Sequence, residues 1–251
     1  MIKFYQTYMP VITLALLLPF WEFICFAGNI PSYILPAPST IFEAFINVDA
    51  NRWFGHLWAT LYIAILGFVI SIVVSIPIAI AMVRSNYLNK TVYPLLVVIQ
   101  STPVVAIAPL LIVVLGTGDA PRLAITFLIT FFPLVVAATT GMQATPKELI
   151  ELSKSLRAKP SREIWQIRLP YAIPYIFSGL KVAITLAIIG AVIAEFVAAE
   201  KGLGYFIQFS TSYFKIPQAF ASLFLLSIVS LLLFHSIKVV QKTFFSWSIG
   251  K

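Results

Sequence analysis

Charge is scarce in this chain. Only 10% of its 251 residues are charged, against about 25% in soluble domains, and just 9 are acidic. An ordinary water-soluble domain is excluded, and so is a disordered chain, which would be poor in apolar residues rather than 60% hydrophobic. Cysteine is nearly absent. The one thiol, Cys25, cannot form an internal disulfide and reads as a small buried hydrophobe. No His/Cys grouping has metal-ligand spacing. There is no G-x-x-x-x-G-K-[ST] phosphate loop, no G-x-S-x-G and no H-E-x-x-H, so a membrane-embedded enzyme lacks its chemistry.

What the sequence has in quantity is long apolar runs. They fall at Met9–Ala27, Leu57–Val83, Thr91–Gly116, Leu123–Met142, Ile176–Ala198 and Ala219–Val240. A span needs roughly 20 apolar residues to cross about 30 Å of hydrocarbon, so these runs read as six transmembrane helices of an all-α, polytopic chain with one transmembrane domain over 1–251. Phe4–Ala27 is read as a retained helix, not a leader. Its run is long, Glu22 interrupts it, and small residues of a processing site are missing before Cys25. Turn residues mark the joins, and Ser39 is expected to cap a short amphipathic helix through Phe45.

The basic residues follow alternate loops. With the amino terminus inside, the inner segments hold Lys3, Arg84, Lys90, Lys147, Lys154, Arg157, Lys159, Arg162, Arg168, Lys181, Lys238, Lys242 and Lys251. The outer ones hold only Arg52, Arg122, Lys201 and Lys215. This asymmetry places both termini in the cytoplasm. It also excludes nucleic acid as a partner, because the formal charge of +8 does not gather on one face.

Two runs carry small residues at four-residue spacing: Gly67, Ser71, Ser75, Ala79, and Gly179, Ala183, Ala187, Ala191, with Glu195 and Ala199 on the same line. Positions four apart share a helix face, and small faces let membrane helices approach closely. The third run contains Pro94, Pro103 and Pro109, with Gln100, Ser101 and Thr102 before the middle one. Proline frees a backbone carbonyl that lipid cannot satisfy. The Gln100–Pro103 stretch therefore lines a pathway or simply kinks the helix, and both readings stand.

The longest inner connection, about Gln143 to Tyr175, has helical grammar. Thr145 reads as an N-cap, Pro146 as the first helical position, and Glu148 completes a capping box. Leu149, Leu152 and Leu156 form an apolar stripe. Pro160 opens a second helix, which Leu169-Pro170 should break before the next span. The element reads as a docking lever or as an amphipathic helix on anionic headgroups.

These residues carry a resemblance. Glu151-Leu152-Ser153, Arg157, Ile167 and Leu169-Pro170 are similar in spacing to the EAA signature of permease subunits of ABC importers. Leu35-Pro36-Ala37-Pro38-Ser39, Glu195-Phe196 and Gly202-Leu203-Gly204-Tyr205 resemble its nitrate, taurine and sulfonate branch, which includes riboflavin and thiamine-pyrimidine precursor permeases. Two departures stand out: Leu152-Ser153 replaces an Ala pair, and Arg157 replaces the usual Gly, so that Pro160 rather than a left-handed turn is expected to end the first helix. The resemblance implies a type I importer permease fold in a prokaryotic inner membrane. It also implies a second permease copy, an extracytoplasmic solute-binding protein and a cytosolic ATPase dimer. The chain itself would bind no cofactor, ATP and Mg being used by the ATPase. Residues 146–170 would be the coupling segment, with Glu148, Glu151, Leu152, Ser153, Leu156 and Arg157 facing the ATPase.

Among ionisable residues within the runs, Lys181 is expected to snorkel and His235 to be interfacial. Glu195 lies roughly 28 Å along its helix at 1.5 Å per residue, near the outer mouth. It is either a gate or a hydrogen-bonding partner at the interface. The rival to an ATP-driven importer of a small polar solute is an ion-coupled secondary transporter using Glu195 or Glu22.

Overall fold

The computed structural model describes residues 2–249. Lys251 lies outside the described residues, as do the side chains of residues 1–8 (Lys3 among them), 10, 11, 14 and 198. The described residues form helices without a strand: α1 Ile2–Ala27, α2 Pro38–Asn47, α3 Ala50–Arg84, α4 Asn86–Ser101, α5 Val104–Leu115, α6 Asp119–Gln143, α7 Lys147–Ser155, α8 Pro160–Glu163, a π turn Ile164–Arg168, α9 Leu169–Ala198, α10 Leu203–Ser212 and α11 Ile216–Phe244. A 3₁₀ turn, Ser246–Ser248, follows.

The centre is made by α3, α6 and α9, which pack on one another along the rows of small residues. Gly67, Ser71, Ser75 and Ala79 are all buried. Ser71 shares a hydrogen bond with Thr130, and the Ser75 hydroxyl donates to the Phe131 carbonyl at 3.1 Å, so α3 is tied to α6 by polar contacts inside the bundle. On α9, Ala183, Ala187 and Ala191 are fully buried. Opposite Gly179 lies the Cβ of Ala137 in α6. Both rows are packing faces, as their spacing predicts.

Among the described residues four helices are long and apolar enough to cross a membrane: α3, α6, the rod Pro160–Val197, and α11. The third apolar run is different from the single span its composition predicts. It is two helices, α4 and α5, meeting at 95°. The residue before a proline is pushed out of the helical region, and Thr102 has φ −80° and ψ 125°. Pro103 has no N–H for the Ile99 carbonyl, which the Thr102 N–H serves instead at 3.2 Å; the Val98 carbonyl that Thr102 would otherwise serve accepts from the Thr102 hydroxyl at 3.1 Å.

Two further local expectations are corrected. Ser39 does not cap α2; it is the residue capped. The helix starts one position earlier, and the Glu22 carboxylate of α1 accepts from the Ser39 N–H at 3.0 Å and its hydroxyl at 2.7 Å. Leu169-Pro170 does not break the rod. The chain widens into the π turn, where the Leu169 N–H reaches back to the Ile164 carbonyl, and a helix with this wider turn absorbs Pro170 without ending. Cys25 is buried, in line with its reading as a small hydrophobe.

Because a Cβ at Gly67 would lie 2.6 Å from the Thr126 Cγ2, Gly67→Val should push α3 off α6 and cost about 1–3 kcal/mol, read as a lower unfolding midpoint in detergent. Gly55, with nothing within 4 Å, should accept alanine with little change.

Candidate functional site

Two places concentrate the residues singled out by sequence: a glycine loop at the α9–α10 junction and the segment 146–170. At the first, α10 begins with Gly202 as its cap at φ +127°, a conformation that suits only glycine. A helix start leaves N–H groups without partners. Here three are met by side chains from elsewhere. Gly202 donates to His56 Nδ1 at 3.1 Å, Leu203 to the Thr60 hydroxyl at 2.8 Å, and Gly204 to the Glu195 carboxylate at 2.7 Å. Glu195 is wholly buried. Its carboxyl group fills the space that a Cβ on Gly202 would need, which explains why glycine stands at both 202 and 204.

Aromatic packing fixes the same corner. The His56 ring stacks on Phe206 at 4.9 Å, Trp53 meets Phe206 edge-on at 5.1 Å, and the Arg52 guanidinium lies 4.8 Å from the Phe206 centroid. His56 and Thr60 were not predicted. They continue the buried α3 row by two and three turns toward its start, and a polar pair at i and i+4 on a small-residue face is the signal that could have found them. Beside the loop lies a polar cavity of about 630 Å³ whose walls include Thr117, Gly118, Arg122, Lys201, Tyr205 and Gln208. Glu195 faces the glycine loop, and its observed role is hydrogen bonding.

The other candidates are placed as follows. Gln100, Ser101, Thr102 and Pro103 are all exposed, at the α4–α5 elbow, while the adjoining Val104 packs in one cluster with Ala194 of α9. Lys181 donates to the buried Gln241 of α11 at 2.7 Å, so it ties two helices together instead of simply snorkelling. His235 is exposed on α11.

Segment 146–170 is a helix, a turn and a rod. Thr145 does not cap α7: its hydroxyl donates back to the Met142 carbonyl at 2.9 Å and closes α6, while Pro146 is the residue flanking α7. The capping box is absent, and Glu148 is left as an exposed acid in the first turn, where the helix dipole favours it. At the other end, Arg157 does adopt the left-handed conformation, with φ +51°. The Ala158 N–H donates to Ser153 at 3.0 Å and the Arg157 N–H to Lys154 at 2.9 Å, a Schellman pair around a non-glycine residue. Glu151, Leu152 and Leu156 are exposed with Leu149, while Ser153 points inward. Ile167, Leu169 and Pro170 are partly buried where the rod joins the bundle. Arg168 is paired with Glu163 at 2.7 Å and donates to the Met142 carbonyl at 3.3 Å, so the rod and the end of α6 are joined.

Glu195→Gln keeps an acceptor for Gly204 and should leave the loop ordered. Glu195→Ala orphans that N–H and should cost about 1–3 kcal/mol, read as a lower melting point and faster proteolysis at the 199–204 loop. Gly202→Ala should behave like the alanine variant.

Comparison with known proteins agrees with this architecture. Residues 71–247 match the family described as binding-protein-dependent transport system inner membrane component. The formylaminopyrimidine transport permease protein of Halalkalibacterium halodurans is 33% identical over 97% of both chains. The riboflavin transport system permease protein of Chloroflexus aurantiacus is 30% identical, over 94% of this chain and 88% of that one. The taurine transport system permease protein of Escherichia coli is 26% identical, over 96% and 90%. Among solved structures, an inward-facing methionine ABC transporter aligns with a TM-score of 0.66 at 18% identity, covering 77% of this chain and 97% of that one, and so shares the fold. The chain is therefore a multi-pass membrane protein that belongs to the family of inner membrane components of binding-protein-dependent transport systems, the permease subunits of ABC importers.

Proposed function

We propose that this permease carries a small polar solute into the cell by alternating access, as two copies joined to a cytosolic ATPase dimer and supplied by an extracytoplasmic binding protein. The observation that carries the reading is mechanical. The short helix α7 presents Leu149, Leu152 and Leu156 to the outside, and a tight turn joins it to a 38-residue rod that enters the bundle centre without a break. A push on α7 is passed on as movement of α9. The chain has no phosphate loop of its own, so the ATP and Mg are the ATPase's. A partner can drive the change only through different affinities for the inward-open and outward-open states.

In this reading α1 is the first span and the α4–α5 pair the third, giving six spans with both termini in the cytoplasm. The 630 Å³ cavity beside the glycine loop then faces outward and receives solute. Nitrogen heterocycles are the first class to test: relatives named for formylaminopyrimidine and riboflavin are 33% and 30% identical, against 26% for the one named for taurine.

Affinity purification of the tagged protein in mild detergent should recover a stoichiometric ATPase. Glu151→Lys should abolish that recovery and transport while membrane insertion is intact; unchanged recovery would overturn the coupling role of α7. Arg157→Gly, which suits the observed φ, should keep ATPase recovery and stabilise the turn by about 1 kcal/mol, read as a raised melting point.

A further inference from the structure

Between the end of α7 and the start of the rod lies a second polar cavity, of about 430 Å³. Its walls carry Arg157, Lys159 and Arg162, with Gln166 and Ser153, and no acid. Ser153 is 3% exposed, and its hydroxyl has no partner. A buried hydroxyl left unpaired is uncommon and calls for an explanation. The three cations are also unpaired: among the described residues the ion pairs are Asp119 with Arg122 and Glu163 with Arg168. Glu163, the one acid of α8, is thus already engaged.

Arg157 adds an independent argument. A left-handed φ costs an ordinary residue about 1–2 kcal/mol that glycine avoids, yet this chain places there a guanidinium that lines the cavity. Such residues, which here also include Asn29 and Phe214, persist where the surrounding structure holds them and cluster at binding and switch sites.

We propose that this cavity binds a phosphate group. Two guanidiniums and an ammonium match a phosphate's oxygens, the guanidiniums as planar two-pronged donors, and the Ser153 hydroxyl and Gln166 amide supply neutral donors. The rod sets the depth. Arg162 precedes Leu169, the first residue of a stretch that carries no charge until Lys181, by about 10 Å of helix, of the order of a headgroup layer. Trp165 stands between them, 61% exposed, at the level where tryptophan gathers at a membrane surface. A lipid phosphodiester meets these conditions, and a soluble phosphate shares the chemistry. Bound there, the phosphate ties α7 to the rod across their joining turn and stiffens the lever.

The test uses the full-length protein in nanodiscs made with phosphatidylglycerol in phosphatidylcholine or with phosphatidylcholine alone, and in detergent with inorganic phosphate or chloride at equal ionic strength. Lipid retention is read by native mass spectrometry and stability by melting point. Wild type should retain phosphatidylglycerol over phosphatidylcholine. Arg162→Gln and Arg157→Gly should each weaken that preference about tenfold, the glycine variant doing so while folding at least as well as wild type. Lys154→Gln, on the exposed face of α7, should leave it unchanged. If inorganic phosphate raises the melting point of wild type but not of Arg162→Gln, and lipid does not, the site is real and its ligand soluble. Equal losses in Lys154→Gln and Arg162→Gln would overturn the proposal in favour of general surface attraction. Loss of ATPase recovery in the cavity variants with lipid preference intact would overturn it in favour of an acidic segment of the ATPase. The lipid-retention and melting-point readouts do not require that an ATPase be bound, so failure of the transport reading would show separately.

Discussion

A backbone N–H or carbonyl facing hydrocarbon has no water to turn to, and most of this structure follows from how each such group finds a partner. Wherever the chain leaves regular helix, a local device supplies the missing bond. At the α4–α5 elbow the Thr102 N–H and hydroxyl serve the carbonyls that Pro103 disturbs. At the glycine loop His56, Thr60 and Glu195 serve the first N–H groups of α10. At Pro170 the π turn shifts the hydrogen-bond register so that the rod continues. At α2 the Glu22 carboxylate is the cap. Glu22 and Glu195, the two acids that as bare sequence suggest proton coupling, each hold a backbone N–H.

Much of the bundle was legible because its signals are periodic. The rows through Gly67 and Gly179 specify close faces whatever helix lies opposite, and the Leu149, Leu152, Leu156 stripe declares an apolar face before any partner is known. Pro103 announced a disturbance, but not its size: a kink and a 95° elbow begin with the same proline, and the α5 direction depends on packing against α6. The segment 146–170 was read with the right elements and the wrong joints. Thr145 has a donor that can turn either way along the chain, and the carbonyl at Met142 was the nearer need. A left-handed Arg157 breaks a local rule, and sequence grammar has no way to foresee a residue kept against its own backbone preference. The clasp was out of reach for another reason: His56 and Gly202 are 146 positions apart, and nothing periodic connects them.

The two candidate regions stand at opposite ends of one element. The rod that starts at Pro160 beside α7 ends at the glycine loop, where Glu195 grips Gly204. Its small face lets it lie close against α3 and α6. Interfaces of this kind move between discrete packings more readily than they deform.

The span of the clasp also bears on how the protein is made. His56 and Thr60 enter the membrane with α3, whereas their partners at Gly202 and Leu203 are synthesised more than 140 residues later. Until then the Thr60 hydroxyl has only the His56 carbonyl of its own helix to bind, and the His56 ring lacks its loop partner, close to the helix start where interfacial water is near. The corner is completed only when α9 and α10 have both arrived. The first-made of the three central helices is therefore locked at its end by one of the latest loops, and a chain that stops before residue 204 is left with that corner open.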